Sequence, residues 1–461
     1  MFKPANKKTD NMLMIPPSFL SGLSDEHNSR QVTTLAFGSC HNRRLAGKYH
    51  ANAKYTKTIW QSVAEQRPDA WLWTGDAVYL PQRKGIGSVK SLMNEYNEML
   101  DIREQTASAP QLQYGELANF APLGAFGTWD DHDYGANDMG SDMIHREPRR
   151  DAFLDFLKVP QDSPRRQRKG VYNSIVFGED DKKVKVIFLD TRWHRDSHLI
   201  PSLASSKIPM GSVLSCLTRW FSAVQMQKRH REYNGTVLGE EQWQWLERQV
   251  EASDASVNII VSSIQVFTTN PAVESWGHFE EERDRLVRTI QNLPGLVVLS
   301  GDVHHAELLG AGPILEVTSS GMTHSCTGPF YGALCEPILD SFDTHRKQSD
   351  FPSGGKGYYT DKNFGTLKID WYSETPIFTV NVHDHSGDIV LSAVRALSHS
   401  SQLPDMEIQR IPKLAEDHNV PTFQILCTVS LVASLSLIVL MIWMRRFLAV
   451  RFWYPTKRKY T

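Results

Sequence analysis

The segment LGAFGTWDDHDYGAND occupies residues 123–138. Its first part, Leu123–Thr128, is a short apolar run of the kind that forms a strand buried on both faces. Trp129, Asp130, Asp131, His132 and Asp133 follow at once. Three acids around an imidazole repel one another unless a cation sits among them, so the strand is expected to end in metal-binding residues. Ligand sites of open α/β sheets lie beyond the carboxyl ends of the strands, which is where this cluster falls.

The same arrangement recurs on either side. Thr33–Phe37 leads into Gly38-Ser39-Cys40-His41, and Ala70–Trp73 into Gly75-Asp76 with Tyr79 close behind. Val184–Leu189 leads into Asp190-Thr191-Arg192, and Leu296–Leu299 into Gly301-Asp302-Val303-His304-His305, while Val257–Ser262 is a further apolar run. Polar–apolar periodicity predicts helices between them at Ile59–Gln66, Val89–Ile102, Arg149–Lys158, Glu240–Ala252 and Phe279–Gln291. Strands alternating with helices give an α/β domain. Thr366–Trp371, Pro376–His383 and Asp388–Ala396 alternate instead, and predict an antiparallel meander that completes it. Pro201–Tyr233 breaks the rhythm and reads as an insertion (about 201–235), whose Trp220, Phe221 and basic run Lys228–Arg231 could meet lipid headgroups, or simply form a solvated charged face.

Carboxylate, imidazole, thiolate and phenolate together form a metal-ligand set. Thiolate and phenolate at Cys40 and Tyr79 suit a trivalent ion, whereas clustered oxygen donors suit harder cations. Taken singly, Cys40 is more often an inert buried thiol and Tyr79 more often a packed aromatic, and His305 is as readily a supporting or surface residue as a ligand. Their joint occurrence at strand ends favours a multinuclear centre. Such a centre would hydrolyse a phosphate ester with a metal-activated hydroxide and no covalent intermediate. Arg192 offers a planar, bidentate donor to phosphate oxygens, and His132 or His305 a proton for the leaving group.

At these residues the chain resembles the PhoD-like alkaline phosphatases, a branch of the calcineurin-like metallophosphoesterases. The matching segments are FGSC (37–40), GDAVY (75–79), WDDHDYGAND (129–138), LDTRWHRD (189–196), LGEEQWQWL (238–246), ESWGHF (274–279), GDVHH (301–305) and NFGTLKID (363–370). The resemblance implies a four-layer α/β/β/α sandwich with an Fe(III) and Ca2+ cluster, Mg2+, Mn2+ or Zn2+ being alternatives. It implies metal ligation by Cys40, Asp76, Tyr79, Asp130, Asp131, Asp302 and His304. Arg192 would face phosphate, Asn137 would stand among the catalytic residues, and Asn363 and Trp276 would bind substrate. The small β domain that often precedes the catalytic part in bacterial members is expected to be missing.

The expected organisation is an N-terminal extension (1–30), the metallophosphatase domain (31–398), a linker (399–422), a transmembrane helix (423–444) and a basic tail (445–461). Residues 423–444, FQILCTVSLVASLSLIVLMIWM, carry no charge, and at ~1.5 Å per residue they suffice to cross a ~30 Å hydrocarbon core. The basic tail would stay cytosolic, placing the domain in a lumen or outside the cell. The sequon Asn234-Gly235-Thr236 agrees, with Asn234 as a glycosylation site. No apolar run of signal-peptide length occurs in residues 1–30, which fits a cytosolic, tail-anchored alternative. A formal net charge of −2 creates no field for nucleic acid. None of Cys40, Cys216, Cys326, Cys335 and Cys427 forms a CxxC pair; Cys326 and Cys335 are near enough in sequence for a disulfide, which spacing alone does not decide. Besides a phosphatase, two readings stay open: a phosphodiesterase acting on lipid or glycolipid headgroups, and a non-catalytic, membrane-displayed binding protein.

Overall fold

The computed structural model describes residues 25–45, 57–80, 87–101, 112–202, 211–223, 235–327, 332–374, 376–397 and 413–414, with scattered positions between 429 and 444. The strands are β1 (Glu26–Asn28), β2 (Thr34–Gly38), β3 (Ala70–Thr74), β4 (Ala125–Thr128), β5 (Asn173–Phe177), β6 (Val184–Phe188) and β7 (Val257–Val261). They continue as β8 (Leu296–Ser300), β9 (Ala306–Ala311), β10 (Ile314–Ser319), β11 (Tyr358–Tyr359), β12 (Asn363–Asp370), β13 (Ile377–Asp384) and β14 (Ile389–Ala396). The helices are α1 (Ile59–Glu65), α2 (Val89–Leu100), α3 (Asp131–Tyr134), α4 (Arg146–Phe156), α5 (Gly211–Phe221), α6 (Gly239–Glu251), α7 (Glu280–Ile290) and α8 (Gly332–Asp340).

These strands form two mixed sheets. One runs β14-β13-β12-β2-β3-β4, with β2, β3 and β4 parallel and the expected meander antiparallel beside them. The other runs β1-β5-β6-β7-β8-β10-β9-β11, parallel through β6, β7, β8 and β10. Side chains alternate between the faces of each strand, so a strand buried on both sides feeds two cores. Leu35, Phe37 and Leu72 enter a core shared with Val186, Phe188, Ile259, Val261, Val297 and Leu299 of the other sheet. Ala36, Trp71 and Trp73 point outward instead, onto Trp60 and Val63 of α1 and Tyr96 of α2. Ile187, Ile260 and Val298 point outward on the opposite side, onto Trp243 and Leu246 of α6 and Leu286 of α7. Helices thus cover both outer faces of a sheet pair.

Local sequence fixes several of these elements. Thr58 and Gln61 form a reciprocal capping box that starts α1, and Ser88 caps α2. Opposite Phe37 in the β2–β12 register stands Gly365, where any Cβ would overlap the Phe37 ring.

The sequence reading missed β1, β5, β9, β10 and β11. β1 lies within the stretch taken as an extension, yet pairs with β5. In β9 and β10 buried acids interrupt the apolar pattern: Glu307 pairs with Arg346, and Glu316 accepts the N–H groups of Val266 and Phe267 at 2.9 and 2.8 Å. The insertion contains α5, and Trp220 within it is buried, which overturns a lipid-facing role for that side chain. Cys326 and Cys335 are joined in a disulfide, with their Cα atoms 5.9 Å apart. Among the described residues no helix is long and apolar enough to cross a membrane. Most of the 423–444 span, the 445–461 tail and Asn234 lie outside the described residues.

Candidate metal centre

The carboxyl ends of both sheets open on one rim, where the expected ligands meet. Cys40, Asp76, Asp302 and His304 each hold a positive φ, of 59°, 49°, 72° and 62°. Non-glycine residues in that region cost about 1–3 kcal/mol each and persist where the surrounding structure over-determines them. Gly75, at φ 109°, brings its backbone so near Asp130 that an added Cβ would lie 2.7 Å from the Asp130 Cβ.

One half of the rim is built around Asp76. Its Oδ2 accepts the Tyr79 hydroxyl at 2.7 Å and lies 3.8 Å from the Cys40 thiol, while its Oδ1 accepts the His132 backbone N–H at 3.1 Å. Tyr79 Oη is 3.4 Å from His304 Nε2, and Cys40 Sγ is 3.7 Å from the Asp302 carbonyl. Residues from behind β2, β3, β4 and β8 therefore converge. Ligand atoms of Asp76, Asp131 and His132 lie within 4.8 Å of one another, as do those of Asp130, Asp131 and Asp302.

Arginines organise the other half. Arg192, fully buried, donates to Asp130 Oδ1 at 2.6 Å and to Glu274 Oε1 at 2.7 Å. Arg195 also reaches Glu274, at 2.8 Å, and Arg219 of α5 reaches Asp138 Oδ2 at 2.7 Å. Asp131, Asp138 and Glu274 also bring their oxygens together, but here the protein supplies the countercharge.

Electrostatics separates the two halves. Burial, then the charges of Asp131, Asp130 and Asp133, push the Asp76 carboxyl well above the usual range. Asp302 is pushed up in the same way, by burial and by Asp130 and Asp131. Burial raises Asp130 to about 7 against the pull of Arg192. Burial and Asp76 hold the Cys40 thiol and the Tyr79 phenol well above their ordinary values. Glu274 goes the other way, because Arg192 and Arg195 outweigh its burial. Asp130 Oδ2 and Asp131 Oδ1 are buried without a hydrogen-bond partner. Buried orphan oxygens are costly and call for an explanation, and a cation among them would relieve both the missing partners and the mutual repulsion. The donor set fits metal: thiol, phenol and imidazole on one side, carboxylate oxygens on the other.

Not every residue singled out in the sequence joins this centre. His305 is a correction: its ring nitrogens meet the Val303 carbonyl at 3.0 Å and Glu307 at 3.3 Å, so the ring serves the buried Glu307–Arg346 network. Trp276 lies in the core beside Trp243 and donates to Ser262, so it is a packing residue rather than a substrate contact. Asn363 spends its amide on Ser319 and the Asp361 carbonyl, tying the start of β12 to the end of β10. Asn137 donates to Asp138 at 2.9 Å, one residue removed from the arginine network. Asp133 caps the Ala77 and Val78 N–H groups, which secures the turn carrying Asp76.

Other residues went unnoticed in the sequence. Ser320 lies 3.2 Å from the Cys40 thiol and accepts the His304 N–H, and Ser263 donates to Asp130. Glu274, Asp138 and His324 also line the rim. Ser263 and Ser320 each follow a strand end, the one signal that could have drawn attention to them.

Known proteins bear on this arrangement. Alkaline phosphatase D of Bacillus subtilis (strain 168) is 25% identical over 296 residues, 59% of this chain and 46% of that protein. The chain thus spans about half the length of that curated relative. A solved structure of PhoD shares 18% identity, covering 89% of this chain and 79% of the other, with a TM-score of 0.43. GAP50, described as the anchor in the inner membrane complex of Plasmodium, shares 11% identity over 86% and 94% of the two chains, with a TM-score of 0.42. The family model for PhoD-like phosphatases matches residues 35–311, more than half of the chain and all the strand ends that build the rim from Cys40 to His304, so this chain belongs to the PhoD-like phosphatase family.

Proposed function

We propose that the chain is a metal-dependent phosphoric ester hydrolase. The observation that carries this reading is the convergence of Cys40, Asp76, Tyr79, Asp302 and His304, remote in sequence, beside orphaned oxygens of Asp130 and Asp131. Cys40, Tyr79 and His304 would hold an Fe(III)-like ion. Asp76 would be shared, and Asp130, Asp131 and Asp302 would hold harder ions such as Ca2+. Bound cations supply Lewis-acid charge neutralisation and make water a stronger acid. The chain's own contribution is placement. Asp130 and Glu274 clamp Arg192, whose Nη2 has no protein partner and is free to meet a phosphoryl oxygen. His132 keeps its ring 4.1 Å from that of Tyr79, which supports a proton-handling role for it in preference to His305.

Elemental analysis of the purified chain, run beside p-nitrophenyl phosphate and bis-p-nitrophenyl phosphate, tests the reading. Stoichiometric metal and monoester turnover lost on chelation are expected. Full activity after exhaustive chelation, or a metal-free and inactive protein that cannot be loaded, would overturn it. Diester preference would favour the phosphodiesterase alternative.

Membrane anchorage belongs to the same proposal and stands on the uncharged 423–444 sequence. The Cys326–Cys335 disulfide supports a lumenal or extracellular domain, since such bonds persist in oxidising compartments. Protease protection in sealed vesicles, with glycosidase sensitivity at Asn234, separates that placement from the cytosolic one.

A further inference from the structure

One imidazole outside the ligand set touches three of its members. The His324 ring lies 4.6 Å from that of Tyr79 and stacks on His304 at 5.0 Å, with an interplanar angle of 15°. Its Nδ1 lies 3.4 Å from the Cys40 carbonyl. A carbonyl only accepts, so this contact assigns the ring proton to Nδ1. The His132 ring lies 4.1 Å from that of Tyr79, so Tyr79 contacts two imidazoles. His324 is half-buried, whereas Cys40 and Tyr79 are buried.

The loop bearing this ring is fastened on both sides. Before it, the Thr323 hydroxyl donates to the Cys40 carbonyl at 2.9 Å and accepts the Asn42 N–H at 2.7 Å. After it, the Cys326 N–H donates to the His304 carbonyl at 2.9 Å, and Cys326 is cross-linked to Cys335 in α8. A surface imidazole with no task would not need such fastening.

We propose that His324 is a positioning residue that orients Tyr79 and His304 as ligands, held in place by the Cys326–Cys335 bridge. The inference rests on the metal-centre reading above. Groups that orient ligands without binding metal are worth about 10–100-fold in metal affinity.

Titration of the metal-free full chain with Co2+ tests this, because a thiolate charge-transfer band and the d–d bands report coordination apart from activity. Wild type should bind Co2+ with both features. His324→Ala should bind about ten- to a hundredfold more weakly, with shifted d–d bands and an unchanged unfolding midpoint of the metal-free protein. His324→Phe keeps a stacking ring and should recover most of the affinity; His324→Leu keeps bulk without a ring, should weaken binding as alanine does, and keeps the comparison usable should the alanine variant fail to fold. Co2+ affinity and spectrum identical to wild type in the folded alanine or leucine variant would overturn the positioning role. A wild type that binds no Co2+ with a thiolate band would instead overturn the metal centre on which it depends.

Discussion

The two halves of the rim balance the charge of their acids differently. Around Glu274 and Asp138 the chain has brought its own cations, Arg192, Arg195 and Arg219, at 2.7–2.8 Å. Around Asp76 it has brought a phenol, a thiol and a backbone N–H, none of which carries positive charge. A buried carboxylate left this way is pushed toward its neutral form unless a cation arrives from outside. The arginine half therefore carries its own countercharge as folded, and the thiol half is built to receive one. Stripping metal should disturb only the second.

The largest effect is expected at the pivot of the unfinished half. Asp76→Asn should abolish hydrolysis and remove most bound metal by elemental analysis, while leaving the unfolding midpoint of the metal-free protein unchanged or raised. Loading of the wild type should weaken as pH falls. Burial and neighbouring charges raise Cys40, Asp76 and Asp302, so each cation must displace protons, and those protons are held more tightly in acid. Retention measured by dialysis at graded pH checks the sign.

Glu274→Ala attacks the finished half and should lower stability by about 3–5 kcal/mol, because Arg192 and Arg195 are left buried without their shared partner. Denaturant unfolding of the metal-free chain measures it. An unaltered midpoint would mean that the arginines are not what completes this half. Ser320→Ala tests the border of the thiol half. Losing the hydroxyl that accepts the half-buried His304 N–H should cost about 1 kcal/mol and loosen metal retention. The smallest effect on turnover is expected from Trp276→Phe: it removes one core hydrogen bond to Ser262, worth about 1 kcal/mol, and leaves a void in the core, yet should leave ester turnover unchanged.

Strand ends were legible in the sequence because each joins a dense apolar run to a sudden cluster of ligand-type residues. Cys40, Asp76, Tyr79 and His304 all came from that pattern, and all meet. What escaped depends on partners far along the chain. Glu307 and Glu316 sit in buried strands, yet read as surface residues until Arg346 and the Val266 and Phe267 amides appear beside them. His304 and His305 look equivalent in GDVHH, but adjacent side chains point apart, and only one reaches Tyr79. His324 carries no local pattern at all; its meaning lies in the Tyr79 and His304 rings it meets.

Gly365 extends the reach of the chemistry into a place with no polar side chain to announce it. It leaves room for the Phe37 ring, on the strand that ends shortly before Cys40. A single methyl added there would overlap that fully buried ring, so the ring, or the strand that delivers the thiol, must shift. A saturation mutagenesis screen for loss of bound metal should therefore return Gly365→Ala alongside the ligands, an apparent outlier explained by leverage through the sheet.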